Sequence, residues 1–186
     1  DQSLEDRDAV RTRPSMYIGD IGAHGLHHLV YEVVDNSIDE ALAGFAKKID
    51  VVVHADGSVA VTDDGRGIPV DFHDKEGMSA LELIMTKLHA GGKFSSSAYK
   101  VSGGLHGIGV SAVNFLSEWL DVRVYRDGKI HAMRFEQGVK VKDIHVVGDT
   151  TQRGTRVHFK PDVTIFRETQ TYSFDILSNR LRELAF

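Results

Sequence analysis

Glu32, Asp35, Asn36 and Asp39 share one side of the stretch from Gly25 to Gly44, with His28 one turn ahead of Glu32. Residues three and four apart on a helix are neighbours, so the carboxylates at 32, 35 and 39 crowd one another. Three readings answer that crowding: a bound cation, an acid poised for chemistry, or a solvated acidic face. Asn36 is a neutral oxygen ligand. Magnesium takes few protein oxygens and completes its shell with water and phosphate, so one asparagine opposite a triphosphate fits, and Asp35 or Asp39 could serve instead. Glu32 lies within reach of a water beside the last phosphate, and His28 could hold and polarise that carboxylate. His28 also reads as a surface or capping histidine, as do His24 and His27.

Two further stretches carry chemistry. Asp63 opens Asp63-Asp64-Gly65-Arg66-Gly67-Ile68-Pro69 at a predicted strand end. A buried carboxylate there needs donors, or its burial costs several kcal/mol or a pKa shift. The exocyclic amino group of a base is such a donor, and a plain Asx turn is the alternative. The second stretch is Gly103-Gly104-Leu105-His106-Gly107-Ile108-Gly109. Glycines before a helix let backbone N–H groups approach a phosphate, and the helix N-terminus adds partial positive charge. The run lacks Gly-Lys-Ser/Thr and the Gly-x-Gly-x-x-Gly spacing, so it is neither a Walker loop nor a dinucleotide fingerprint. A tight turn would need the same glycines.

The elements that must position these groups follow from periodicity. Leu26, Leu29, Val30, Val33, Val34, Ile38 and Ala41 form a core-facing stripe on the 25–44 helix. Asp1–Ile21 reads as an arm, with Met16, Tyr17 and Ile18 covering the core. Ile49–His54 and Ser58–Asp63 read as a hairpin around Asp56-Gly57, a turn whose central residues both take φ > 0. Ser79 and Glu82 have capping-box spacing and open a helix with Leu81, Ile84, Met85 and Leu88 on one face. His89–Ser102 is long and polar and reads as a mobile loop. Val110–Leu120 reads as a helix. Strands follow at Val122–Tyr125, Lys129–Phe135, Val139–Val147 and Gly154–Phe159, with Asp127-Gly128 and Gln137-Gly138 at turns. A last helix spans Tyr172–Leu184, with Phe174, Leu177, Leu181 and Leu184 in register. The expectation is one α+β domain over 1–186, hairpins building a sheet whose single face the helices cover.

The 186 residues are 41% hydrophobic and 26% charged, ordinary for a globular domain with a real core. No run approaches a membrane span, and no signal peptide is visible. Cysteine is absent, which excludes disulfides and thiolate metal sites and fits a cytoplasmic protein. A net charge of −5 argues against a nucleic-acid face spread over this segment, though not against a local basic patch.

The acidic helix, Asp63 to Pro69, and Gly103 to Gly109 together resemble the ATP-binding fold shared by gyrase, heat-shock chaperones, sensor histidine kinases and MutL. YEVVDNSIDEALAG (31–44), DDGRGIP (63–69), HAGGKF (89–94) and YKVSGGLHGIG (99–109) further resemble the B subunits of bacterial type II topoisomerases. That family comprises DNA gyrase and its topoisomerase IV counterpart. GLHH (25–28) and YKVS (99–102) lean towards the gyrase branch.

The resemblance implies a two-layer Bergerat fold, α+β, with a mixed and mostly antiparallel sheet covered on one face by helices. It implies ATP and Mg²⁺ as cofactors, with Glu32 as the general base supported by His28 and Asn36 as the magnesium ligand. Asp63 resembles the adenine-reading aspartate, with Thr155 beside it. Gly67 and Ile68 belong to the same pocket. Lys93 resembles a lid lysine, Tyr99 an adenine contact, and Gly104, Leu105, His106, Gly107, Ile108, Gly109 and Val110 the phosphate cradle. Glu40 and Arg66 resemble a salt-bridged pair flooring the pocket. Asp63, Arg66, Pro69, Arg126 and Thr155 match positions that bind aminocoumarin inhibitors. The implied partners are the gyrase A subunit, DNA and a second copy of the B subunit in an ATP-dependent homodimer, with no membrane.

Ser15 departs from the family's Arg-Pro-Gly-Met-Tyr pattern, which touches a turn and not the chemistry. The resemblance also implies a longer chain, whose N-terminal arm, next-domain lysine and final strand are not in this sequence. The expectation is a fragment that binds ATP and turns it over weakly. The competing readings are a sensor kinase, an ATP-sensing clamp without turnover, and a cation-binding acidic domain. Glu32 argues against the clamp, since a sensor has no use for a base.

Overall fold

A computed structural model describes residues 2–88 and 109–184. Its elements are α1 (Gln2–Thr12), α2 (Ser15–Ile18), α3 (Ala23–Leu42), β1 (Ile49–Val53), β2 (Val59–Asp63), β3 (Phe72–His73), β4 (Met78–Ser79) and α4 (Ala80–Thr86). Then follow α5 (Gly109–Phe115), β5 (Ser117–Arg126), β6 (Lys129–Glu136), β7 (Val139–Asp149), β8 (Gly154–Pro161) and α6 (Phe174–Leu184). Six strands form one sheet in the order β1-β2-β8-β5-β6-β7, and β3 pairs with β4 apart from it. Every described pairing is antiparallel. The predicted two-layer α+β architecture is what forms.

Side chains alternate across a strand, and the register stacks the inward set in rows. Val59 and Leu120 both lie opposite Phe159, while Val61 and Val122 lie opposite Val157. These residues, with Met133 and Phe135 of β6, pack against Leu26, Leu29, Val30 and Val33 of α3, Leu81, Ile84 and Met85 of α4, and Val110 and Val113 of α5. The helical stripe of α3 therefore lies where its spacing puts it. Met85 is buried core, as expected. Among the described residues no helix is long and apolar enough to cross a membrane.

The N-terminal arm is instead two helices. Among the described side chains of α1 only Val10 is deeply buried, so no apolar stripe announces it. It is tethered by polar contacts: Arg7 Nε donates to the Gln137 carbonyl at 2.6 Å. Arg11 donates to the Phe115 carbonyl at 2.7 Å and to Asp162 Oδ2 at 2.9 Å. Ile18 covers the core and Tyr17 packs against it, whereas Met16 is 73% exposed.

The helix expected over Val110–Leu120 stops at Phe115. Ser117 Oγ donates back to the Val113 carbonyl at 2.7 Å, and the chain turns into β5. Leu120 reaches the core from that strand, where Leu120, Val122 and Val124 alternate with more exposed residues. Pairing with β8 on one side and β6 on the other outweighs the helical spacing of Val113, Leu116 and Leu120. At the C-terminal helix Leu177 is buried, but Phe174 is 80% exposed and lies outside the core-facing stripe.

The turns split the same way. Asp127-Gly128 has φ of 54° and 80°, the expected hairpin with both central residues left-handed. At Asp56-Gly57 only the glycine is left-handed. There the Asp56 carboxylate accepts from the Ser58 N–H and hydroxyl at 2.9 and 2.6 Å, an Asx turn.

Ser79 caps α4, its hydroxyl accepting the Glu82 N–H at 3.1 Å. Ser79→Ala is expected to cost about 1 kcal/mol, read as a lower denaturant midpoint at unchanged slope.

Candidate active site

The polar side of α3 is buried rather than solvated. Glu32, Asp35, Asn36, Ser37 and Glu40 are all buried, none more than 8% exposed. A carboxylate in such a place must be paired or neutralised, and the surroundings of Glu32, Glu40 and Asp63 meet that need in different ways.

Glu32 Oε2 accepts the backbone N–H of Gly109 at 2.8 Å, at the first residue of α5. Its other oxygen, Oε1, is buried and has no hydrogen-bond partner among the described residues. His28 Nε2 stands 3.4 Å from it, one helical turn away. One oxygen thus orients the carboxylate and the other keeps its lone pairs for a proton. That arrangement suits a general base aimed at a water.

Glu40 is fully paired. Arg66 donates to it from Nη2 to Oε1 at 2.6 Å and from its backbone N–H to Oε2 at 2.8 Å. The guanidinium lies 4.0 Å above the centre of the Phe45 ring. This pair ties the loop after β2 to the end of α3. Arg126, at the end of β5, donates to the Gly67 and Arg66 carbonyls at 2.8 and 3.3 Å and holds the same loop from the other side.

Asp63 ends β2 beneath that loop. Its Oδ2 accepts from the Ser37 hydroxyl at 2.6 Å and its Oδ1 from the Gly65 N–H at 2.9 Å. Burial pushes its carboxyl above the usual carboxylate range, the two hydrogen bonds opposing that shift. Each oxygen has a further lone pair for a donor such as a base amino group. Thr155 lies opposite Asp63 in the β2–β8 register, and its hydroxyl accepts the Ile68 N–H at 3.0 Å. Ile68 and Gly67 are buried and Pro69 is half-buried beside them. Gly154, φ +140°, allows the backbones to meet: a Cβ there would lie 1.9 Å from the Asp63 carbonyl oxygen.

The structure therefore brings together Glu32, His28, Asn36, Glu40, Asp63, Arg66, Gly67, Ile68, Pro69, Gly109, Val110, Arg126 and Thr155 around α3, the end of β2 and the start of β8. Lys93, Tyr99, Gly104, Leu105, His106, Gly107 and Ile108 lie outside the described residues. Among the described residues no group of three or more His, Cys, Asp or Glu side chains is placed to hold a metal ion.

Sequence reasoning missed Ser37, which reads Asp63 from α3, and Asp64, which accepts the Lys47 and Lys48 N–H groups at 2.7 and 3.0 Å. The need of a buried Asp63 for donors was the available signal for Ser37. His27 is also not a surface residue: it is 3% exposed. Its Nδ1 lies 2.7 Å from the Ala23 carbonyl and so donates, while its Nε2 accepts the Ser173 N–H at 2.9 Å. It joins α3 to the start of α6.

Comparison with known proteins shows the family. The family described as "Histidine kinase-, DNA gyrase B-, and HSP90-like ATPase" matches residues 22–165. The DNA gyrase B protein of Thermotoga maritima is 62% identical over 183 residues, covering 98% of this chain and 29% of that protein. The DNA gyrase B protein of Halalkalibacterium halodurans is 58% identical over 185 residues, covering 100% and 29%. The type 2 topoisomerase B protein of Aquifex aeolicus is 59% identical over 177 residues, covering 95% and 22%. The crystal structure of the 43K ATPase domain of Thermus thermophilus gyrase B in complex with an aminocoumarin superposes with a TM-score of 0.86 at 44% identity. It aligns over 100% of this chain and 46% of its own. The chain thus spans less than a third of the length of these curated relatives. With the sheet, the buried carboxylate of Glu32 on α3 and the buried Asp63 in place, the chain belongs to the histidine kinase-, DNA gyrase B- and HSP90-like ATPase family.

Proposed function

We propose that this chain is the ATP-binding and ATP-hydrolysing part of the B protein of a DNA gyrase. Gyrase-named relatives near 60% identity across essentially the whole chain support that branch. The observation that carries the hydrolytic reading is Glu32: buried, held through Oε2 by Gly109, and left with Oε1 open beside His28. A binding-only module has no use for a buried carboxylate oxygen kept free of hydrogen bonds there.

In this reading Asp63 accepts the adenine amino group, and Thr155 and Ile68 hold the pocket wall beside it. Arg126 and the Glu40–Arg66 pair keep the 64–69 loop in place. Lys93, Tyr99 and the Gly104–Ile108 segment supply the lid and phosphate contacts. Asn36 would hold Mg²⁺, which neutralises phosphate charge when bound. Glu32 takes the proton of the attacking water, and His28 supports Glu32. In the cytoplasm, as part of a longer chain working with the gyrase A subunit and DNA, nucleotide binding drives homodimerisation and strand passage. Aminocoumarins compete at Asp63, Arg66, Pro69, Arg126 and Thr155.

The test is a titration of the purified chain with a non-hydrolysable ATP analogue, with and without Mg²⁺, beside Asp63→Asn. Saturable, magnesium-dependent binding is expected, and the variant should lose it, because an amide cannot offer two acceptor oxygens. Binding should also weaken as pH falls through the raised Asp63 pKa, since protonation removes an acceptor. Equal binding by the original chain and the variant would overturn the base-reading role.

A further inference from the structure

We propose that His24 is the outer station of a proton path leading from Glu32 through His28 to solvent. This rests on Glu32 being the base. Asp20, His24, His28 and Glu32 follow one another at four-residue intervals, so they line one ridge of α3 and the turn before it. Asp20 Oδ2 stands 3.7 Å from His24 Nδ1. The His24 and His28 rings stack with centroids 6.3 Å apart and planes inclined by 22°. His28 Nε2 is 3.4 Å from Glu32 Oε1. Side-chain exposure runs from 70% at His24 through 21% at His28 to 2% at Glu32. The ridge therefore joins to bulk water a buried carboxylate oxygen that has no hydrogen bond among the described residues.

A groove of about 440 Å³ runs beside the two rings, lined by His24, His28 and Tyr31 of α3 and by Asn179, Arg180 and Glu183 of α6. It has ample room for waters beside the imidazoles. Among the described residues the ionisable groups facing His28 are His24, Tyr31 and Glu32 from α3 and Arg180 and Glu183 across the groove. Arg180 is paired with Glu183 at 3.0 Å. His27 cannot take part, because both of its nitrogens are engaged.

In the hydrolytic step the water oxygen bonds to the terminal phosphorus, the bridging P–O bond breaks, and the released proton goes to Glu32 Oε1. It passes to His28 Nε2. His28 gives its Nδ1 proton to groove water, and His24 carries it to solvent with Asp20 beside the imidazolium. His28, now protonated at Nε2, returns to its Nδ1–H form by taking a proton from groove water at Nδ1 and, with its ring turned to the groove, giving its Nε2 proton to that water, so that one proton in all leaves the site.

Two readouts test this. In the purified chain, ¹⁵N spectra should show His28 as the Nδ1–H tautomer, and solvent exchange of that proton should slow by about threefold or more in His24→Gln. In the full-length protein assembled with the gyrase A subunit, single-turnover hydrolysis by His24→Gln should fall about 3- to 10-fold with KM unchanged. That is a fraction of the ~10²–10⁴ of a direct general base. Added imidazole should restore the rate of His24→Ala. A His28 Nε2–H tautomer, or wild-type exchange and rate in His24→Gln, would overturn the path. Glu32→Gln run in parallel separates the two claims: turnover surviving it removes the base itself, whereas a dead Glu32→Gln beside a normal His24→Gln removes only the relay.

Discussion

Glu32→Gln in the full-length protein is expected to keep nucleotide affinity and lose turnover by a factor of about 10²–10⁴, the usual worth of a positioned general base. The amide is nearly the same size and can keep a carbonyl oxygen on the Gly109 N–H, so the start of α5 stays in place. What it cannot do is accept a proton at the position of Oε1. The loss should appear in kcat and in kcat/KM alike, since the interaction is made only in the transition state. Equilibrium binding of a non-hydrolysable analogue, measured beside steady-state turnover, separates the effects. A variant that loses binding would make Glu32 a structural ligand of α5. One that keeps full turnover would end the assignment.

Gly154→Ala carries the second large effect. The new Cβ would sit 1.9 Å from the Asp63 carbonyl oxygen and 3.0 Å from Asp64 Cα, on backbone that cannot step aside. The glycine also adopts φ +140°, where side chains are strained. Either β8 separates from β2 at its first residues or Asp63 moves. We expect a loss of about 3–5 kcal/mol, in the range of severe single substitutions, together with loss of nucleotide binding. Gly44→Ala is the control: φ is +88°, but nothing lies within 4 Å of its would-be Cβ. It should cost only the backbone strain, about 1 kcal/mol. Thermal melts of both variants check the difference; equal melting temperatures would mean that the β2–β8 contact relaxes without cost.

Much of this site is legible in the amino-acid order, because its signals are local. Helical spacing puts Leu26, Leu29, Val30 and Val33 on one side of α3 and Glu32 and Asn36 on the other. Asp127-Gly128 and the Ser79–Glu82 cap need only their own neighbours to form. Other features need distant partners. α1 holds to the body through Arg7 and Arg11, whose acceptors lie more than 100 residues away. The end of α5 at Phe115 depends on β8 and β6 flanking the next segment. Helical spacing through Leu120 could not reveal them.

By itself the amino-acid order determined the long acidic helix, the main strands, the Asp63 and glycine motifs, and their family resemblance, because periodicity, turn chemistry and motif spacing act over a few residues. Only the tertiary structure decided that the polar side of α3 is buried. It alone placed Ser37 on Asp63, set Gly109 on one oxygen of Glu32 while leaving the other bare, and turned His27 inward to Ser173. Each of those outcomes depends on which distant backbone or side chain fills the space around a polar atom, and burial then sets whether that atom is paired, shifted or reactive.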